Sequence, residues 1–293
     1  MLLKVLPMTL SRRIFFATVL VSGLTSCAPV ETPEVLVQAV ARLPTQLDES
    51  SALAIHEDIV WTLNDSGSGA ILHALSMEGE LLSSVTVLDA ENTDWESLAQ
   101  DEQYLYIADT GNNFNNRDSF RIYRIAIPAI GQQTVNAETI SISYEDYEAG
   151  SPMSHNFDSE ALAVRHSELW LFTKNRGDRN TNLYRFPKTP GTYRVGPSQS
   201  LAVNALVTAA DINEETGELV LLTYGQGDSG AVAKLWWAST SEAGVDWDNH
   251  HSLSIGPFDQ WEAVSWRSEE ELMLTHENSR QGFAGLARLQ RAN

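Results

Sequence analysis

The chain has 293 residues, 43% of them hydrophobic, enough for one large core or two small ones and too apolar for a disordered chain. Its 39 Asp and Glu against 19 Lys and Arg give a formal charge of −20, so it lacks the basic surface that grips a phosphate backbone, and no nucleic-acid partner is expected. One cysteine, Cys27, excludes a disulfide framework or a cysteine-based metal site within a single chain.

Lys4, Arg12 and Arg13 precede the apolar run from Ile14 to Leu24, and small residues follow, the order of an export signal. The run is too short to span a bilayer. The order Leu24-Thr25-Ser26-Cys27 resembles the bacterial lipobox, which implies cleavage before Cys27, its lipidation, and anchoring to the membrane through its acyl chains. Residues 1–26 are then a lipoprotein signal peptide, 27–34 the lipidated cysteine with a tether, and 35–293 a single domain. By the same resemblance, Ala28 in place of Asp implies delivery to the outer membrane of a two-membrane bacterium. An ordinary secretory signal with an incidental cysteine is the alternative.

Beyond the tether, short β-type runs alternate with Gly, Asn, Asp and Ser, and one pattern recurs five times. Each copy opens with a strand of small and aliphatic residues, starting at Ser51, Glu96, Glu160, Thr208 and Glu262. After a charged turn comes an apolar strand: Ile59 to Leu63, Tyr104 to Ala108, Leu169 to Thr173, Leu219 to Thr223, and Leu272 to Thr275. A loop rich in Gly, Asn and Ser leads to a third strand, and a fourth such as Leu81 to Leu88 often closes the unit. The spacings of 45, 64, 48 and 54 residues fit four-stranded blades with loops, the signature of an all-β β-propeller. Five blades are predicted, with six as the alternative, since the 64-residue interval has room for a degenerate blade. The last copy lacks a fourth strand and the first is preceded by an orphan strand, Val35 to Leu43, so the N-terminal strand should close the ring.

In such a blade the loop entering strand one and the loop leaving strand two share a face. Glu96, Glu160 and Glu262 at strand-one entries, and Asp65, Asp109, Lys174, Tyr224, His276 and Glu277 at strand-two exits, should therefore ring one mouth of the central channel. Asp94, Trp95, Asp158 and Trp261 flank them, the two tryptophans as candidate stacking walls. Three converging carboxylates repel one another unless a cation or Lys174 compensates, which makes Glu96, Glu160 and Glu262 candidate ligands of Ca²⁺ or another divalent cation. The competing reading has each Glu accept backbone N–H groups from the next blade as a repeated clamp. The variable exit residues, with Asn112, are better candidates for specificity. Lys174, Asn175, Arg176 and Arg179 form a basic cluster that would take an anionic group, or Lys174 simply neutralises the carboxylates.

Two tempting motifs fail on context. Gly227-Asp228-Ser229-Gly230 and the Ser66 turn do not fit the G-x-S-x-G elbow, and a nucleophilic Ser needs a His within reach. His250 and His251 fall away from the predicted mouth.

The segments Glu49-Ser50-Ser51-Ala52-Leu53-Ala54, Glu160-Ala161-Leu162-Ala163, Glu262-Ala263-Val264 and Asp109-Thr110-Gly111-Asn112-Asn113 resemble bacterial propellers of the SdiA-regulated type and, more distantly, the phytase-like esterase propellers. The first resemblance implies an exported propeller, the second calcium-assisted hydrolysis of phosphate esters. The function expected is a monomeric, lipid-anchored envelope propeller that binds an envelope protein, glycan or small ligand at its polar mouth. The alternative is a Ca²⁺-dependent hydrolase of phosphate or carboxylate esters.

Overall fold

Alternating small and aliphatic residues bounded by Gly, Asn and Asp can bury both faces of a short strand, and that is what the repeat does in the computed structural model of the chain. The structure describes residues 37–291 apart from 153, 228–229, 258–259 and 280–281. The signal peptide, Cys27 and the tether lie outside these residues, as do Asp228 and Ser229.

β1 (Val37–Arg42) precedes four strands that pair in sequence order: β2 (Ser50–His56), β3 (Ile59–Asn64), β4 (Ile71–Ser76) and β5 (Leu81–Leu88). The second group is β6 (Trp95–Gln100), β7 (Tyr104–Asp109), β8 (Phe120–Ala126) and the long β9 (Thr134–Tyr144). In the third, β10 (Ser159–Arg165), β11 (Glu168–Thr173) and β12 (Thr181–Pro187) are followed by β13 (Gly191–Val195), which leaves to pair with β9, while β14 (Pro197–Leu201) takes the fourth place. The fourth holds β15 (Leu206–Ile212), β16 (Glu218–Gly227), β17 (Gly230–Ser241), a two-residue β18 (Gly244–Val245) and β19 (His251–Pro257). β20 (Trp261–Trp266), β21 (Glu271–His276) and β22 (Gly285–Gln290) make the last, and β1 completes it by pairing antiparallel with β22, Val37 opposite Leu289. The innermost strands adjoin in a cycle, β2 on β6, β6 on β10, β10 on β15, β15 on β20 and β20 on β2, so the fold is a β-propeller.

Apolar layers fill the spaces between neighbouring sheets. Trp61, Trp95 and Leu72 lie between the first and second, Tyr106, Tyr184 and Phe120 between the second and third, Trp170 and Leu221 between the third and fourth. Trp237, Trp261 and Leu274 lie between the fourth and fifth, and Leu43, Leu47 and Met273 between the fifth and first. Outer edges are laced together as well. β9 pairs in parallel with β5 at Thr134 to Asn136, so the first two groups share hydrogen bonds at their rims, and with β13 at Ile140 to Tyr144, a strand of the third group's chain segment that lies outside its sheet. The 64-residue interval between Glu96 and Glu160 holds the long β9 and the segment of residues 145–158 that follows it.

Candidate functional site

Every innermost strand carries the same irregularity. The register slips by one residue between Ser50 and Ala52, Trp95 and Ser97, Ser159 and Ala161, Val207 and Ala209, and Trp261 and Ala263. A β-bulge leaves its extra residue outside the ladder and re-aims its side chain. The five extra residues are Ser51, Glu96, Glu160, Thr208 and Glu262, the positions that open the sequence repeat. Strand two of each sheet ends beside them, with Asn64, Asp109, Thr173, Tyr224 and His276 paired to the first residues of strand one. One mouth of the channel thus gathers the predicted residues.

Hydroxyls, rather than the glutamates, clamp these bulges to their neighbours. Ser51 Oγ donates to the Trp95 carbonyl at 3.1 Å, Thr110 Oγ1 to that of Ser159 at 2.7 Å, and Thr208 Oγ1 to that of Trp261 at 3.2 Å. Each of these carbonyls belongs to the residue just before a glutamate, so the three glutamates are pinned through the backbone of the preceding residue rather than through their carboxylates. Glu96 and Glu262 are half-buried and accept no hydrogen bond from a described residue. The clamp role considered for them is carried by Ser51, Thr110 and Thr208.

The cations are spent inside the protein. Lys174 Nζ pairs with Glu160, with side chains only 6% and 5% exposed, and lies 5.0 Å from the centre of the Tyr224 ring. Arg176 pairs with Asp158 at 2.9 Å and reaches Asn113. Arg117, which sequence reading did not single out, pairs with Asp109 at 3.0 Å and donates to the Gly111 carbonyl. Of the basic cluster proposed as an anion site, Lys174 and Arg176 are therefore committed to carboxylates, while Arg179 is exposed.

The remaining carboxylates crowd together. Burial, then the charges of Glu160, Asp158 and Asp94, push the Glu96 carboxyl well above its usual range, with Lys174 opposing. Burial raises Glu160 and Glu262 too, again against the pull of Lys174. Lys174 itself is held well above the usual lysine value, because Glu160 and Glu262 outweigh its own burial. Burial followed by Glu49 and Asp94 lifts Asp65 to about 7, and burial followed by Glu262 and Asp65 lifts Glu277 to about 8. Burial lifts Tyr224 to about 12. Gly111 is the floor of this crowd: a Cβ there would sit 2.2 Å from Asp94 Oδ2 and 2.5 Å from Glu96 Oε1, so only glycine lets the two carboxylates converge.

Some predicted residues serve the scaffold instead. Asn112 is 1% exposed, its Oδ1 taking the N–H groups of Asn116 and Arg117 and its Nδ2 donating to the Arg117 and Phe157 carbonyls. Trp95 is fully enclosed with its indole N–H on the Glu91 carbonyl, and Trp261 is nearly so, edge-on to His276 at 5.0 Å, so neither offers the stacking wall expected of it. Gln260 Nε2 donates to Glu277 at 3.2 Å. Among the described residues no group of three or more His, Cys, Asp and Glu side chains is arranged to hold a metal ion. A cation shared by Glu96, Glu160 and Glu262 would have to displace Lys174 from Glu160.

No family model matches the chain. No curated protein matches it either. Solved structures that resemble it include a hypothetical protein from Leishmania major, at 10% identity over 88% of this chain and 91% of that one, with a TM-score of 0.46. Kuenenia stuttgartiensis hydrazine synthase aligns at 11% identity over 86% and 89%, with a TM-score of 0.44. The WD40 β-propeller domain of Doa1 aligns at 10% identity over 88% and 98%, with a TM-score of 0.40.

Proposed function

We propose that the protein is a lipid-anchored envelope propeller that binds a positively charged ligand or partner group at the polar mouth of its channel. One observation carries this reading: Lys174, Arg176 and Arg117 are each paired with another carboxylate, while Glu96 and Glu262, presented by bulges, form no ion pair or hydrogen bond with a described residue and feel Lys174 only at longer range. Carboxylates crowded and half-buried in this way gain from an incoming cation, which relieves their mutual repulsion. The same arithmetic disfavours a phosphate group, since none of the three cations is spare. Anchoring rests on the lipobox-like Leu24-Thr25-Ser26-Cys27, and delivery to the outer membrane on Ala28.

The test is a thermal-shift titration with spermidine, Ca²⁺, Mg²⁺ and inorganic phosphate, on wild type and on Glu96→Gln/Glu262→Gln. A ligand that binds only the folded state must raise the melting temperature. Stabilisation by an amine or divalent cation that disappears in the double variant supports the reading, and a preference for Ca²⁺ would bring the hydrolase alternative forward. Stabilisation by phosphate alone, or none by any cation, overturns it. Anchoring is tested by metabolic labelling with an alkyne fatty acid, which Cys27→Ser should abolish.

A further inference from the structure

On the two outer strands of the first sheet, β4 and β5, His73 and Ser84 stand directly opposite each other. His73 Nδ1 lies 2.8 Å from Ser84 Oγ, and both side chains line a cavity of about 360 Å³. We propose that this Ser84–His73 pair is a nucleophilic site for small carboxylic esters, with Ser84 Oγ as the attacking atom and His73 Nδ1 as its base.

Four observations converge on the cavity. His73 is 7% exposed, so its ring is fixed by packing, and burial pushes its pKa down and keeps the imidazole neutral at pH 7. With the proton on Nε2, Nδ1 is free to take the hydroxyl hydrogen. Ser84 is partly exposed, so the nucleophile is reachable where the base is sheltered. Ser68 and Gly69 line the same cavity on the turn shaped by Gly67, at φ +84°, and their backbone N–H groups donate to no described acceptor. Backbone donors lining the same cavity are the kind of group a developing oxyanion requires. Ile71 supplies an apolar wall for a short acyl chain.

The step balances within these groups. Ser84 Oγ bonds to the ester carbonyl carbon as its proton passes to His73 Nδ1. The C–O bond to the alcohol breaks, and the alcohol leaves with that proton. Water, deprotonated by the same nitrogen, then attacks the acyl-serine, and the carboxylic acid and the free hydroxyl are restored. Among the causes acting on His73 only burial is prominent, with no carboxylate charge to support an imidazolium, so turnover should be slow beside that of a full triad.

The experiment treats the full-length chain with diisopropyl fluorophosphate and locates the adduct by peptide mass spectrometry. Attack of Ser84 Oγ on phosphorus expels fluoride and passes the proton through His73. The expected result is an adduct on Ser84 that is absent in Ser84→Ala and forms at least tenfold more slowly in His73→Gln. Circular dichroism melting confirms that each variant is folded, and Ser84→Thr, which keeps the hydroxyl, provides a second readout if His73→Gln does not fold. An unmodified Ser84 in folded protein, or an equal rate in folded His73→Gln, overturns the proposal and leaves the pair as a cross-strand hydrogen bond. Because Ser84 lies on the outer strand β5, whereas Glu96 and Glu262 lie on the innermost strands β6 and β20, and is read by a different reagent, this outcome is independent of ligand binding at the mouth.

Discussion

Replacing Lys174 with methionine removes the one hydrogen-bonding partner of the Glu160 carboxylate among the described residues, a group 5% exposed and already repelled by Asp158 and Glu262. Deleting one member of a buried ion pair costs about 3–5 kcal/mol, because the stranded charge keeps its desolvation penalty and loses its compensation. At about 2–4 °C per kcal/mol for a domain of this size, Lys174→Met should lower the melting temperature at pH 8 by on the order of 10 °C. The stranded carboxyl can escape by taking up a proton, so the loss should shrink at pH 5. Glu160→Gln should cost less, since Glu262 and Tyr224 remain beside Lys174. Removing both charges restores neutrality, so Lys174→Met/Glu160→Gln should be more stable than Lys174→Met alone. Urea denaturation of the four proteins at both pH values closes a double-mutant cycle. Losses that add to within about 0.5 kcal/mol, or a Lys174→Met penalty that is the same at pH 5 and pH 8, would falsify the claim that the pair is one buried electrostatic unit.

The raised carboxyls give the whole molecule a pH signature. Asp65 and Glu277 hold protons more tightly folded than unfolded, so their stabilising effect is complete below the ordinary carboxylate range and is lost as pH rises through about 7 and about 8. Glu277→Gln should therefore flatten the decline in stability of wild type between pH 5 and 9, measured by urea midpoints, and an unchanged slope would remove Glu277 from the crowd. Gly111→Ala drives a methyl group into Asp94 and Glu96, and overpacking of this kind costs about 1–3 kcal/mol. A melting temperature equal to wild type would show that the two carboxylates do not converge there. Ser51→Ala and Thr208→Ala should each lose about 1 kcal/mol, the net value of one hydrogen bond, and their losses should add because the clamps lie between different sheets. Deleting residues 1–42, which removes β1, should leave β22 with a bare edge and give aggregated protein by light scattering, whereas deleting residues 1–34 should not.

Much of this was legible in the sequence because a repeat reports geometry. Residues that open the five copies are the residues that bulge, and small side chains recur there because neighbouring strands crowd at the axis. The pairing of Val37–Arg42 with the last sheet followed from counting a missing strand at one end and a spare one at the other. What the repeat could not show is who pairs with whom. Arg117 reaches Asp109 across eight residues of loop, and nothing in a single Arg among Asn residues gives its direction. Trp95 and Trp261 were read as walls because aromatic residues next to carboxylates suggest stacking, yet strand alternation turns their rings into the apolar layers. The His73–Ser84 pair is invisible to motif reading because its members meet only through the register of β4 with β5.

The pairing of β1 with β22 makes the two ends of the domain one structural unit. Bringing Val37 to Leu289 closes a loop of about 250 residues, an entropic cost of about 5 kcal/mol that no other sheet faces on its own. The final sheet cannot be completed until the whole chain is available, so a polypeptide halted before β22 has β1 waiting as an unpaired strand. The same strand follows directly on the stretch through which an anchor at Cys27 would act. Tension on that anchor would fall on the ring's closing seam before it reached any other sheet, so the mechanical weak point of the propeller would lie next to its point of attachment.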